Sequence, residues 1–136
     1  MTDMANDMMM MHHKFGVREW FEKNKDDKEL MNNYLNFRMS MVKEEYDETM
    51  EAIEAKDPEE IVDGLIDMCV FALGTLDVFG VDSNMAWNAI YEANMAKEPG
   101  VKEGRPNKFG LPDLIKPSGW VNPTHKGNHG DINCAL

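Results

Sequence analysis

The chain has 136 residues, with 14 Lys and Arg against 25 Asp and Glu, and a formal net charge of −11. A chain of this length most simply forms one domain, and its negative charge repels nucleic-acid backbones and anionic lipid, so we expect neither as a partner. Cys69 and Cys134 are too few for a disulfide framework, which favours a cytoplasmic protein. Three aspartates interrupt the most apolar segment, residues 61–79, and neither a membrane span nor an export signal is recognisable.

The first predicted elements are helical. The Met8–Met11 run, followed by two histidines, is interpreted as a frayed terminus instead of a copper site. A short amphipathic helix over residues 17–24 precedes a long helix over about 27–55. The inward stripe of the long helix is predicted from apolar and acidic residues spaced three and four apart, namely Leu30, Tyr34, Phe37, Met41, Glu44/Glu45, Glu48 and Ala52.

A helical hairpin follows, because Asp57 can cap a new helix and Pro58 suits its first position. This second long helix, about 58–79, is apolar nearly all round and is predicted to be central to a bundle. Gly80 ends it, and a further helix capped by Asp82 or Ser83 runs to about residue 97. Its side chains available to the core are Trp87, Ile90 and Met95. Four helices and almost no strand signal predict an all-α, four-helix-bundle-like fold.

Charge and composition change near residue 97. Residues 1–96 carry 8 basic and 21 acidic side chains, a net charge of −13, whereas residues 97–136 carry 6 basic and 4 acidic, a net charge of +2. The second stretch also holds five prolines and six glycines, too many for a helix. We therefore expect a helical domain over residues 1–97 and an extended Pro/Gly-rich C-terminal arm over 98–136.

Two short acidic stripes lie on the hairpin. Glu44, Glu45 and Glu48 share a face of the first long helix, and Asp63 and Asp67 are four apart inside the apolar second one. Such glutamates alone usually form a solvated face, but the aspartates have no obvious surface to occupy. Burying these charges requires a partner, and an all-oxygen cluster favours Mg²⁺, with Mn²⁺ as a substitute. Zinc and diiron sites are disfavoured because neither stripe holds Cys or His.

The arrangement resembles the all-α nucleoside triphosphate pyrophosphohydrolases, the MazG-like and phosphoribosyl-ATP pyrophosphatase-like superfamily, over most of the chain. The Glu-Glu-x-x-Glu half of the family motif matches Glu44-Glu45-Tyr46-Asp47-Glu48. The Glu-x-x-Asp half matches either Glu60/Asp63 or Asp63/Asp67; we favour the second, with Glu60 as second choice. Three further segments are similar to small members, many of them encoded by bacteriophages: His13-Lys14-Phe15-Gly16, Ala93-Asn94-Met95-Ala96-Lys97 and Lys116-Pro117-Ser118-Gly119-Trp120-Val121-Asn122-Pro123.

The resemblance implies a Mg²⁺-dependent catalytic domain over residues 1–97 that splits a nucleoside triphosphate into monophosphate and pyrophosphate. It also implies a homodimer or homotetramer whose subunits share sites. The expected metal ligands are Glu45, Glu48, Asp63 and Asp67, and Glu44 is a further ligand or the base that orients water; Glu44 and Glu45 are thus the expected catalytic residues.

Outside the acidic stripes, Lys97 is expected to contact phosphate instead of only ending its helix. Asn94 either reads a base or sugar edge or makes an interhelical hydrogen bond. Further cations and aromatic residues are weaker candidates for phosphate contact and base stacking: Arg105, Lys108, Lys116, Trp87, Tyr91, Phe109 and Trp120. Trp87 and Tyr91 are more typical of a core or subunit interface, and Trp120 of a tail anchor.

Two other functions remain open at this point. One is phosphoribosyl-ATP hydrolysis, which is less favoured because the tail and the Ala-Asn-Met-x-Lys segment are similar to the phage-type branch. The other is a non-catalytic helical module that binds a metal or a protein through its acidic face.

Overall fold

The computed structural model describes residues 2–104 and 108–136. In chain order its elements are α1 (Met4–Lys14), α2 (Val17–Asn24), α3 (Lys28–Glu54), α4 (Pro58–Val78), α5 (Ser83–Met95), β1 (Glu98–Gly100), β2 (Asp113–Ile115) and a C-terminal 3-10 helix (Ile132–Ala135). The predicted all-α fold with a C-terminal tail is confirmed. No single helix among the described residues is long and apolar enough to cross a membrane. Of these helices, only α4 and α5 taken together, as one sharply bent pair, have the length and composition of a membrane span.

The chain divides into two compact units. The first contains Met1–Ser83 and Gly127–Leu136, and the second contains Asn84–Lys126. The last ten residues therefore belong with the first helices instead of continuing the arm. The division of function between residues 1–97 and 98–136 stays a prediction.

The N-terminal methionine run is helical, so the expectation of a frayed terminus is wrong. The Asp3 side chain accepts a hydrogen bond from the Asn6 N–H at 3.1 Å and caps α1. Met8 and His12, one turn apart, are the buried residues of this helix. His12 Nδ1 lies 2.6 Å from Asp77 Oδ2 of α4. This polar contact joins two residues that are far apart in the chain, and it holds α1 against α4.

The core of the first unit is aromatic. Phe21 of α2 and Phe79, which ends α4, are fully buried and meet edge to face with ring centroids 5.6 Å apart. Met31 and Val78 join them. The C-terminal segment closes this core, since the Asn32 side-chain amide donates to the Ala135 carbonyl at 2.9 Å.

The hairpin of α3 and α4 forms where its capping residues predict. The Asp27 side chain accepts from the Leu30 N–H at 3.0 Å. The Asp57 side chain accepts from the Glu59 N–H at 3.1 Å, with Pro58 in the first helical position. Each cap satisfies N–H groups that a helix start leaves without an intrahelical partner. These local signals explain why the bounds of both long helices agree with prediction to within one residue.

The buried face of α3 is displaced by one residue along the sequence from part of the face that was predicted to be buried. The buried residues are Met31, Thr49 and Ala52, and Glu45 is half-buried between them. Phe37, predicted to face inward, is 55% exposed, and Glu44 and Glu48 are exposed. Residues spaced alternately four and three apart through 31, 35, 38, 42, 45, 49 and 52 share one face, which explains the shift.

α4 packs against α1, α2 and α3, as expected of a central helix, but it is not buried all round. Its buried residues are Gly64, Gly74, Thr75 and Val78. Val62 is 63% exposed and Ile66 is 57% exposed. Glycines let α3 approach closely on one face, while the opposite face stays apolar and uncovered.

In the second unit, α5 is followed by an antiparallel pair in which Glu98 faces Ile115 and Gly100 faces Asp113. A Cβ at Gly100 would lie 2.6 Å from Ile115 Cγ1, so this register requires glycine there. Trp87 and Met95 are 69% and 68% exposed. Their predicted contribution to the core is therefore wrong within one chain, because α5 presents these side chains to solvent.

Candidate active site

Five predicted site residues lie on the two helices of the hairpin. Glu44, Glu45 and Glu48 are on α3, and Asp63 and Asp67 are on α4. The hairpin brings the two sets together because α3 and α4 approach closely beside them, as the next contact shows.

The close approach is made by Thr49 and Gly64. A Cβ at position 64 would lie 2.1 Å from Thr49 Oγ1 and 3.2 Å from Thr49 Cβ, so only glycine fits. Thr49 Oγ1 donates to the backbone carbonyl of Glu45 at 2.6 Å. Gly64 directly follows Asp63. Neither residue was among the predicted site residues, although a glycine inside an apolar helix is a recognised signal of close backbone approach.

The electrostatics of Glu45 place all five carboxylates in one neighbourhood. Desolvation by burial raises the pKa of the Glu45 carboxyl, and the negative charges of Glu48, Asp67, Glu44 and Asp63 raise it further, in that order. Like charges at short range disfavour ionisation. The four acids that act most on Glu45 are thus the ones that the sequence predicted as its companions.

The cluster has no basic partner. Lys43, the nearest lysine along α3, pairs instead with Asp47 at 2.7 Å. Across residues 2–104 and 108–136, none of the five carboxylates takes part in an ion pair or a side-chain hydrogen bond. The charge of the cluster is therefore uncompensated by the chain itself.

The donor chemistry fits a hard divalent cation, because every candidate ligand is a carboxylate oxygen. The side-chain geometry is less complete: among the described residues, no group of three or more His, Cys, Asp or Glu is arranged to hold a metal ion. The five acids therefore share an electrostatic environment without converging on one point in the isolated chain.

Glu60, the second-choice ligand, lies in the first turn of α4, where its backbone N–H donates to Asp57 Oδ1 at 3.2 Å. Asp63 and Asp67, one and two turns further, are among the four charges that act most on Glu45. The choice of the Asp63/Asp67 alignment over Glu60/Asp63 stays a prediction.

The remaining predicted site residues belong to the second unit. Lys97 Nζ donates to the Asn94 side-chain carbonyl at 2.9 Å, so these two residues form a local pair. Trp120 Nε1 donates to the Ala93 carbonyl at 2.8 Å, which fits the expected role of Trp120 as an anchor for the tail. Of the weaker candidates, Arg105 lies outside the described residues.

The hairpin carries carboxylates at the spacing Glu-Glu-x-x-Glu on one helix and Asp-x-x-x-Asp on the next, and the first of these matches half of the motif of the MazG-like all-α pyrophosphohydrolases. The family model of phosphoribosyl-ATP pyrophosphohydrolase matches residues 8–94. The chain belongs to this family. The match contains the five carboxylates and ends at Asn94, so Lys97 and the tail lie beyond it. No curated protein matches the chain significantly.

Proposed function

We propose that the protein is a Mg²⁺-dependent nucleoside triphosphate pyrophosphohydrolase that converts a ribo- or deoxyribonucleoside triphosphate into the monophosphate and pyrophosphate. The observation that carries the proposal is the group of five carboxylates around Glu45, which has no basic partner among the described residues. Family membership supports pyrophosphohydrolysis in general, and the similarity of residues 93–97 and of the tail to small phage-encoded enzymes favours free nucleotides as substrates.

In this reaction a water oxygen bonds to the α-phosphorus, the bond from that phosphorus to the α,β-bridging oxygen breaks, and pyrophosphate leaves. Glu45, Glu48, Asp63 and Asp67 would hold Mg²⁺, which when bound neutralises phosphate oxygens and acidifies water. Glu44 is exposed next to Glu45 in the sequence, and its carboxylate would orient the water and accept its proton. In the second unit, Asn94 and Lys97 would bind the nucleotide.

Two alternatives are tested by the same assay. Phosphoribosyl-ATP would be cleaved at the same bond by the same carboxylates, and the family name favours it. A non-catalytic acidic module would turn over neither substrate.

The test is to incubate the protein with Mg²⁺ and each ribo- and deoxyribonucleoside triphosphate, or phosphoribosyl-ATP, and to identify both products by ion exchange. Asp67→Asn should abolish turnover. Asp47→Asn is the matched control, because Asp47 lies on the same hairpin but pairs with Lys43, and it should retain turnover. Turnover of phosphoribosyl-ATP alone would identify the first alternative. Absence of turnover with every substrate would overturn the proposal.

We also propose that the protein is a homodimer or homotetramer. The exposed apolar side chains Val62, Leu65 and Ile66 lie on α4 next to the acidic residues. Covering them with a second copy would remove apolar surface from water and would bring further side chains to the carboxylates. Light scattering after size exclusion should give a mass of at least two chains, and Ile66→Ser should lower it. A monomeric wild type would refute this assembly.

A further inference from the structure

The second unit contains a cavity that the proposed chemistry does not yet use. Its volume is about 540 Å³, and it is bounded by one face of α5 and by the tail segment 117–124. Trp120 lines this cavity and is fixed by its hydrogen bond to the Ala93 carbonyl. A rigid indole at a cavity wall offers a defined surface for binding.

Two ammonium groups lie over the Trp120 ring. Lys116 Nζ is 5.0 Å from the ring centroid and Lys97 Nζ is 5.4 Å from it. The small sheet brings the two lysines to one end. Lys97 directly precedes β1 and Lys116 directly follows β2, and these strands pair antiparallel with Glu98 facing Ile115.

This pair of like charges is not neutralised by the protein. Within the described residues neither lysine forms an ion pair, and Glu92, which also lines the cavity, pairs with neither. Two positive charges that lie near the same ring repel each other. The indole offsets part of this cost through cation–π attraction. Each ammonium has three donors, and Lys97 uses one of them on Asn94.

We propose that Lys116 joins Lys97, on the Trp120 platform, in a binding site for a di- or triphosphate chain. Each ammonium group can donate to phosphate oxygens, and charge-assisted hydrogen bonds of this kind are the strong ones. A multiply charged anion is favoured over a single carboxylate because it relieves the repulsion of both lysines. The identification of this chain as part of a nucleotide rests on the proposed function; the anion site itself does not.

The experiment is calorimetric titration of the full-length protein with inorganic tripolyphosphate and pyrophosphate, with EDTA present. Without divalent cations the acidic cluster repels these anions, so binding reports on the lysine pair. We expect Lys116→Met and Lys97→Met each to weaken binding about tenfold, since a charge-assisted hydrogen bond stabilises by ~1.5 kcal/mol or more. Lys116→Arg should restore most of the affinity.

Lys126→Met is the matched control, because it removes the same charge from an exposed lysine of the same unit without touching Trp120. Binding that Lys126→Met leaves intact and Lys116→Met weakens supports the site. No polyphosphate binding by the wild type, or equal weakening by all three lysine variants, overturns it.

A parallel assay with nucleotides distinguishes the proposed anion site from the proposed pyrophosphohydrolase function. If tripolyphosphate binds through Lys116 but no nucleotide is hydrolysed, the anion site stands and the proposed function fails. If nucleotides are hydrolysed and Lys116→Met changes neither polyphosphate affinity nor KM, the proposed function stands and the anion site fails.

Discussion

Replacing Gly64 with alanine tests whether the close approach of α3 and α4 holds the acidic cluster together. The added methyl group would lie 2.1 Å from Thr49 Oγ1 and 3.6 Å from Thr49 Cα. In an open helix, alanine is more favourable than glycine by about 1 kcal/mol. Here the clash forces the helices apart or rotates the Thr49 hydroxyl out of its bond to the Glu45 carbonyl.

The destabilisation expected from the clash exceeds the gain in helix propensity from replacing glycine with alanine. Overpacking a close contact costs about 1–3 kcal/mol, and the lost hydrogen bond costs about 1 kcal/mol more. Subtracting the helix-propensity gain leaves a loss of about 1–3 kcal/mol in the free energy of unfolding. For a chain of this size the melting temperature should fall by roughly 4–10 °C.

Thermal unfolding followed by circular dichroism measures this effect, and a second variant locates its cause. Thr49→Ala combined with Gly64→Ala removes the 2.1 Å contact and leaves a Cβ–Cβ approach of 3.2 Å, so the double variant should be more stable than Gly64→Ala alone. A Gly64→Ala protein as stable as the wild type, or a double variant with no recovery, would refute the close contact.

Three other predictions concern the carboxylates, α1 and the C-terminal segment. Glu45→Gln should raise the melting temperature of the metal-free protein at pH 7, because folding raises the pKa of Glu45 above its ordinary value of 4.5. Ionised Glu45 therefore opposes folding above that pKa, and the advantage of the variant should vanish as melts are taken at falling pH down to 4. Asp77→Asn should weaken the contact with His12 and cost about 1–2 kcal/mol, seen as faster amide exchange in α1; unchanged exchange would contradict it. Gly130→Ala should destabilise strongly in urea unfolding because its Cβ would lie 2.1 Å from the Phe79 carbonyl oxygen, whereas Gly127→Ala meets no atom within 4 Å; equal losses would refute this difference.

The helical hairpin could be predicted because its signals are local. Asp27, Asp57 and Pro58 begin helices through contacts within four residues, so the sequence window that contains them also contains their partners. The acidic stripes followed for the same reason: helical spacing places residues three or four apart on one face, whatever the helix packs against.

The features that could not be predicted depend on distant partners. The buried stripe of α3 was ambiguous because apolar residues occupy adjacent positions, and the contact of Thr49 with Gly64 decides which of them turn inward. The ordered helical state of α1 depends on the contact between His12 and Asp77, which are 65 residues apart in the chain. The candidate anion site depends on the pairing of β1 with β2, which brings Lys97 and Lys116 to the same end of the sheet. A glycine such as Gly64 can signal a close approach, but in none of these pairings does the local sequence identify the distant partner.

The two units carry opposite and unbalanced charges at their candidate binding residues. Lys43 is committed to Asp47 on the exposed side of α3, which leaves the carboxylates around Glu45 without a cation. Lys97 and Lys116 stand over Trp120 without an anion. A protein selected only for stability would neutralise such groups, since like charges held together oppose folding. A divalent cation would relieve the first imbalance and a polyphosphate the second, and each of these is a component of the metal–nucleotide substrate that we propose.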